Sequence, residues 1–367
     1  MKVALVHDIL TQFGGAERVL LKLLAMFPEA PIYTLVYDEK LKPFFAGKKI
    51  ITSGLQSKYD RFGRYYKFWL GSMPTYIEQF DLCEYDLVIS DSNSFAKGVL
   101  TGPDTFHLCY THSPTRYLWD WTHEYLREQN LNPLMSVPLA LQLHKLRQWD
   151  RIAADRVDQF VANSKNVAER IKKYYRRDAK VIYPPVSVNE MHPQKKEDYF
   201  LVLGRLSKYK RNDLAVAACR GLDLPLKVVG TGPELGNLKK MAGPKTEFLG
   251  FINDDELFSL RAKARALIFA GEEDFGLVMV ESIASGVPVV AYGKGGALEI
   301  VEDEVSGLFF DKPTVKSLRE ALERFLTMEN KFLPNRIKQT AEKFSEQNFE
   351  KQIKRCLRES GIMNHES

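Results

Sequence analysis

The stretch ALIFAGEEDFGLVMVESIASGVPVVA, Ala266–Ala291, decides the fold. Ala266–Phe269 is an apolar run of strand length, Gly271-Glu-Glu-Asp274 is a polar turn, a helical pattern follows Gly276, and Val287–Ala291 is a second β-branched run. Strand, turn, helix and strand in so short a span read as one parallel crossover unit. The alternation continues outward in both directions. Further strands are expected at Tyr199–Leu203, Leu226–Val229, Glu247–Leu249 and Gly307–Phe309, and in the first half at Val3–Val6, Ile32–Val36, Leu87–Ser90, Phe106–Tyr110 and Phe160–Ala162. Helical patterns lie at Gly15–Met26, Pro138–Ala154, Thr314–Leu326, Asn335–Lys343 and Gln347–Leu357. The fold class is therefore α/β, with two Rossmann-like doubly wound sheets in tandem.

With 367 residues, the chain exceeds the ~250–300 at which a single core stops growing. An N-terminal domain is expected over 1–183 and a C-terminal one over 199–340. Tyr183-Pro-Pro-Val186 and the polar residues after it make 184–198 the hinge, and 341–367 form a C-terminal helix whose docking the sequence does not fix. Hydrophobic residues at 45% and charged residues at 27% exclude intrinsic disorder. Four scattered cysteines exclude a disulfide framework, and none has zinc-ligand spacing. Met1–Asp8 reads as a strand rather than an export signal, and no apolar run reaches the ~18 residues that cross a bilayer. A cytoplasmic protein is expected, with room for peripheral contact at the inner face of the cell membrane.

The formal net charge of +5 lies wholly in residues 1–183, which hold 25 basic and 20 acidic side chains against 27 of each in the remainder. Residues 40–67 alone carry eight basic side chains and one acid. That balance falls short of a nucleic-acid binder, and nucleic acid is not an expected partner. Read as one helix, Lys58, Arg61, Arg64 and Lys67 form a stripe with aromatics between them, Trp69 included, which suits an anionic membrane surface. A merely solvated face is the alternative.

Ligands of parallel sheets bind beyond the carboxyl ends of the strands, where strand order switches. In that position the first half offers Gly14-Gly15 at a helix start, suited to an anion or equally to a tight turn. It also offers His112 in Tyr110-Thr-His-Ser-Pro-Thr-Arg-Tyr-Leu-Trp-Asp120, a polar group fit to meet a reacting centre or, as often for a lone histidine, a structural one. In the second half, Arg205 and Lys210 straddle a strand-to-helix turn and can face one anion. Gly230-Thr-Gly232 brings backbone close to a ligand but is a poor dinucleotide fingerprint. Glu273 and Glu281 flank the turn Phe275-Gly276-Leu277, and two carboxylates there suit the hydroxyls of a sugar.

These motifs, followed by Ser285-Gly-Val-Pro-Val-Val290 and Gly295-Gly-x-x-Glu299, resemble glycosyltransferase family 4, whose members have the GT-B fold with two domains facing across a cleft and retain anomeric configuration. The match runs along nearly the whole chain. Residues 110–120 resemble the bacterial mannosyltransferases of O-antigen and related surface polysaccharides. The resemblance implies a hexosyltransferase moving mannose from GDP-mannose, or a hexose from a UDP-sugar, to a saccharide or polyprenyl-diphosphate-linked acceptor. It assigns catalytic roles to His112 and Glu273, the donor diphosphate to Arg205, Lys210 and Gly15, and the sugar to Glu273, Phe275, Gly276 and Leu277. Ribose and base fall to Glu281, Gly230 and Gly232, and the acceptor side to Gly14, Gly15 and Arg116. No metal and no separate cofactor are implied. A nucleotide-dependent epimerase or oxidoreductase would need a proper glycine fingerprint, and a non-catalytic sugar-binding protein would have no use for a phosphate clamp.

Overall fold

The computed structural model describes residues 1–128 and 133–363, with backbone alone at 64, 66, 67 and 133–135. The chain divides into two compact units, Met1–Tyr183 with Glu350–Ser367, and Pro184–Phe349.

Unit 1 is built on seven strands, β1 (Val3–His7), β2 (Ile32–Thr34), β3 (Ile50–Thr52), β4 (Leu87–Ser92), β5 (Phe106–Thr111), β6 (Gln159–Ala162) and β7 (Ala179–Val181). They are ordered β3-β2-β1-β4-β5-β6-β7, with every pairing parallel. Strands β1, β4 and β5 are buried almost throughout because helices cover both faces of such a sheet, and their carboxyl ends nonetheless carry polar side chains, His7, Asp91, Ser92 and Thr111 among them. The two edge strands, Ile50–Thr52 and Ala179–Val181, were not anticipated, since three residues give no readable period. Chain order reverses between β1 and β4, so the binding crevice of this unit opens at His7, Asp91 and the turns that follow them.

Unit 2 carries β8 (Phe200–Leu203), β9 (Leu226–Val229), β10 (Thr246–Gly250), β11 (Leu267–Phe269), β12 (Val289–Tyr292) and β13 (Gly307–Phe310), ordered β10-β9-β8-β11-β12-β13 and parallel. All six anticipated strands are present, within two residues at either end. Here the order reverses between β8 and β11, beside Arg205 and the Gly271 turn. Residues 184–198 pack onto this unit through buried Val186, Val188 and Met191. The last helix, Glu346–Glu359, begins in unit 2, where Ser187 Oγ donates to Glu346 at 2.7 Å, and from Glu350 it belongs to unit 1. There it buries Ile353, Cys356 and Leu357 and pairs Glu359 with Lys180 at 2.7 Å.

One expectation is corrected. The basic stretch is not a single helix: the α-helix Gln56–Phe62 ends at Gly63, whose φ of 53° is left-handed, and a 3-10 segment runs from Gly63 to Ser72. In 3-10 geometry residues three apart eclipse one another, and Tyr65 accordingly stacks on Phe68, ring centroids 6.0 Å apart. Trp69 turns inward against the unit 1 core and the Phe62 ring, so it is not the surface anchor expected of it. Among the described side chains of this stretch, Phe62, Tyr65 and Phe68 are the exposed aromatics, Phe68 at 79%. The Arg64 and Lys67 side chains lie outside the described residues.

Candidate active site

In unit 2 the β8 end leads through Arg205 to a 3-10 turn, Lys208–Lys210, and then to the helix Asn212–Gly221. Arg205 is exposed. Lys210 turns back over Tyr209 and Phe269, 5.6 and 5.8 Å from the ring centroids, and forms an ion pair with Glu273 from the turn after β11. Burial pushes the Lys210 ammonium down to about 8, while the carboxylate beside it favours the charged form. The two residues that the sequence placed on donor diphosphate and donor sugar therefore meet at the switch point, each holding the other.

Backbone packing sets that meeting. A Cβ at Gly271 would lie 2.9 Å from Lys210 Cα, so only glycine lets the two turns approach. Gly295 and Gly296 back the Glu273 turn in the same way: Cβ atoms there would fall 2.4 and 2.2 Å from the carbonyl oxygens of Glu273 and Phe275. Gly276, at φ 103°, caps the helix Leu277–Ala284, whose first N–H groups have no partner within the helix. The Phe275 ring is buried against Phe344, so this residue offers its backbone rather than its ring. Gly230 and Gly232 seat the turn after β9 on the Gly204–Leu206 backbone, where added Cβ atoms would collide at 1.9 and 2.3 Å.

Glu281 is buried, and its Oε2 accepts from Arg261 Nη1 at 2.6 Å. Arg261, 1% exposed in the last turn of the helix Asp254–Lys263, was not singled out from sequence. Arg261→Met leaves that carboxylate buried without its cation, and unfolding free energy is expected to fall by about 3–5 kcal/mol, readable as a lower denaturant midpoint.

In unit 1, His112 follows β5 directly, its N–H continuing the sheet to Ser92 O at 3.0 Å. Its Nε2 lies 2.5 Å from Asp91 Oδ1, and the other Asp91 oxygen meets His7 Nδ1 at 2.8 Å. His7 and Asp91 are register partners on β1 and β4. On its far side His7 Nε2 faces Glu17 Oε1 at 3.6 Å. Burial opposes a charged His7, but hydrogen bonds to Asp91 and Glu17 outweigh it and raise the imidazole to about 10; burial likewise opposes charge on Asp91, and the two histidines hold that carboxyl below its usual range. Gly14 precedes the helix Gly15–Met26, whose first turn carries Glu17. Arg116 is half-buried over the Trp121 ring, 3.8 Å from Asp120.

Two further buried carboxylates hold the turns themselves. Asp8 accepts four backbone N–H groups, from Asn93, Ser94, Phe95 and Ala96, at 2.5–2.8 Å. Asp150 accepts from Lys97, Thr115 and Trp119 at 2.5, 2.8 and 2.8 Å, anchoring the turn after His112. His7, Glu17, Asp91, Asp150 and Lys97 were all missed. Polar residues closing an apolar strand, as His7-Asp8 and Asp91-Ser92 do, were the available signal.

Two family profiles tile the chain: "Glycosyltransferase Family 4" matches residues 13–190 and "Glycosyl transferases group 1" matches 188–344. The chain belongs to glycosyltransferase family 4. This family 4 glycosyltransferase is 27% identical over 229 residues to an uncharacterized glycosyltransferase, MJ1178, of Methanocaldococcus jannaschii, covering 58% of this chain and 65% of that one. To the GDP-mannose-dependent alpha-mannosyltransferase of Corynebacterium glutamicum it is 32% identical over 110 residues, 30% of this chain and 26% of the relative. The chain thus spans less than two thirds of either relative's length. Among solved structures, Anabaena HepE in complex with UDP and glucose matches with a TM-score of 0.71 at 18% identity, over 98% of this chain and 99% of that one. The fold of this family 4 glycosyltransferase is accordingly the two-unit GT-B fold.

Proposed function

We propose that this protein transfers a hexose, mannose, from GDP-mannose to a hydroxyl of a saccharide or lipid-linked saccharide in surface polysaccharide synthesis, with retention of configuration. The observation that carries transfer from a nucleotide sugar is the Lys210–Glu273 pair at the β8/β11 switch point, beside exposed Arg205, and the choice of GDP and mannose is supported by the likeness to GDP-mannose-dependent mannosyltransferases. A diphosphate arriving there takes Lys210 and Arg205 as its cations, which spread the leaving-group charge without calling on a metal. It releases Glu273 to accept from sugar hydroxyls. Glu281, steadied by Arg261, accepts from the ribose, and His112 takes the catalytic role that the family resemblance implies for it. On this reading the acceptor hydroxyl adds to the anomeric carbon on the face the phosphate leaves, and the departing phosphate oxygen takes its proton.

A UDP-sugar is the second reading, favoured by the likeness to HepE, a protein that holds UDP and glucose. Thermal unfolding separates the two, because a ligand bound only to the folded state stabilises it by about 2.7 kcal/mol at a hundredfold excess over Kd. GDP is expected to raise Tm and UDP to leave it within a degree or so. The reverse would transfer the proposal to a UDP-sugar, and no shift with either would remove the nucleotide.

For the acceptor we propose a lipid-borne saccharide reached from an anionic membrane surface. No helix among the described residues is long and apolar enough to cross a membrane. Phe62, Tyr65 and Phe68 are instead exposed beside Lys58 and Arg61, the arrangement of a shallow interfacial contact. Vesicles containing phosphatidylglycerol should sediment the protein at low salt, and Arg61→Glu with Phe68→Asp should abolish this. Equal binding to neutral vesicles would count against it.

A further inference from the structure

The two features that sequence singled out in unit 1, the Gly14-Gly15 turn and His112, are joined by three residues it passed over. Glu17, His7, Asp91 and His112 form an unbroken chain of ionisable side chains, with gaps of 3.6, 2.8 and 2.5 Å. Side-chain exposure along it is 7, 2, 0 and 12%, so its middle is sealed from solvent and the His112 end is the more exposed of the two. The chain also touches the turn at its other end, because a Cβ at Gly14 would stand 3.3 Å from Glu17 Oε2.

We infer that Asp91, backed by His7 and Glu17, is a positioning residue that fixes the ring orientation and tautomer of His112. This rests on the reading of His112 as a group that meets the substrate. Both oxygens of Asp91 are committed, one to each histidine. An imidazolium at His7 keeps this fully buried carboxylate ionised, so it accepts from N–H on either side. The Nε2 of His112 is thereby held as the donor, and Nδ1 is the nitrogen left to face the substrate. Three further contacts restrict the residue: its N–H to Ser92 O, its carbonyl accepting from Asn163 Nδ2 at 3.0 Å, and the Tyr110 ring lying edge-on with centroids 5.3 Å apart. Glu17 extends the chain, through its 3.6 Å ion-pair contact with His7, into the first turn of the helix that the glycines open, so the glycine turn and His112 border one charged cluster. A purely structural cluster would contain the same contacts but would have no reason to end on the one partly exposed imidazole at the switch point.

Two measurements on the full chain test the inference. Ring ¹⁵N–¹H correlation spectra of histidine-labelled protein, assigned with His7→Gln and His112→Ala, are expected to show His7 protonated on both nitrogens at neutral pH and the neutral form of His112 protonated on Nε2. Asp91→Asn should abolish that pattern. A neutral His112 ring protonated on Nδ1, or averaging between tautomers, would overturn the inference whatever the substrate is. The second measurement is nucleoside diphosphate release from GDP-mannose and from UDP-glucose. Asp91→Asn should lower kcat by roughly 10–100-fold with donor KM within about twofold, and the double variant with His112→Ala should be no slower than His112→Ala alone. Losses that multiply would make Asp91 an independent structural group and overturn its positioning role. Unchanged turnover in His112→Ala, with the ring spectra as expected, would instead sink the functional reading of His112 and leave the geometry standing. Should Asp91→Asn not fold, Glu17→Gln carries the same cycle, with a smaller loss and the same non-additivity expected.

Discussion

Alanine at His112 is expected to lower turnover on the order of 10²–10³-fold, the usual range for a positioned proton-transfer or polarising group, while donor KM and nucleotide affinity stay within about twofold. The reason is the division of labour between the units. On the proposed reading the donor sugar and ribose, and the diphosphate apart from Gly15, fall to residues 205–281 of unit 2, whereas His112 directly follows β5 in unit 1 with its own hydrogen-bond support. A loss confined to KM would show that His112 binds donor in its ground state rather than acting in the transition state. Nucleoside diphosphate release under saturating donor reads the difference.

Lys210→Ala is expected to weaken nucleoside diphosphate binding by about 10- to 100-fold and to lower kcat as well, because the ammonium meets charge that is present on the bound donor and grows on the leaving group. The pH dependence has a definite sign. Burial pushes the Lys210 ammonium down to about 8, so its charge is lost as pH rises through that range. Affinity for GDP should therefore fall as pH rises through about 8 in the wild type, and the Lys210→Ala protein should show a flatter profile. Calorimetric titration across pH 6.5–9.5 checks both. Equal affinities at pH 7 would remove Lys210 from the diphosphate site.

Much of the fold was readable because parallel strands buried on both faces are short, apolar and β-branched, and unit 2 displays six of them in order. What escaped was short or doubly determined. Ile50–Thr52 and Ala179–Val181 are edge strands of three residues, too short for a period to show. The basic stretch was read with helical spacing throughout, and Gly63 breaks it where a left-handed φ is needed. Among the candidate residues, Arg205, Lys210 and Glu273 could be singled out because each lies in a turn after a strand, and Glu281 because it is a carboxylate within an apolar helix. Arg261 was not, because a basic residue near a helix C-terminus is ordinarily a solvated neighbour of the helix dipole, and only the fold brings it to Glu281. His7 and Asp91 lie 84 positions apart. Their partnership is a matter of register between β1 and β4, and no local pattern carries it. Gly230 and Gly232, read as ligand-facing, have a nearer duty in letting the turn after β9 rest on Gly204–Leu206.

The most direct test of the central claim is incubation of the purified protein, with EDTA present, with GDP-mannose and a polyprenyl-diphosphate-linked saccharide extract, followed by quantification of GDP and the anomeric configuration of the new linkage. The proposal predicts release of GDP matched by an α-linked mannose on the extract, abolished in Lys210→Ala. No nucleoside diphosphate release from GDP-mannose or any UDP-sugar, or a product of inverted configuration, would contradict it.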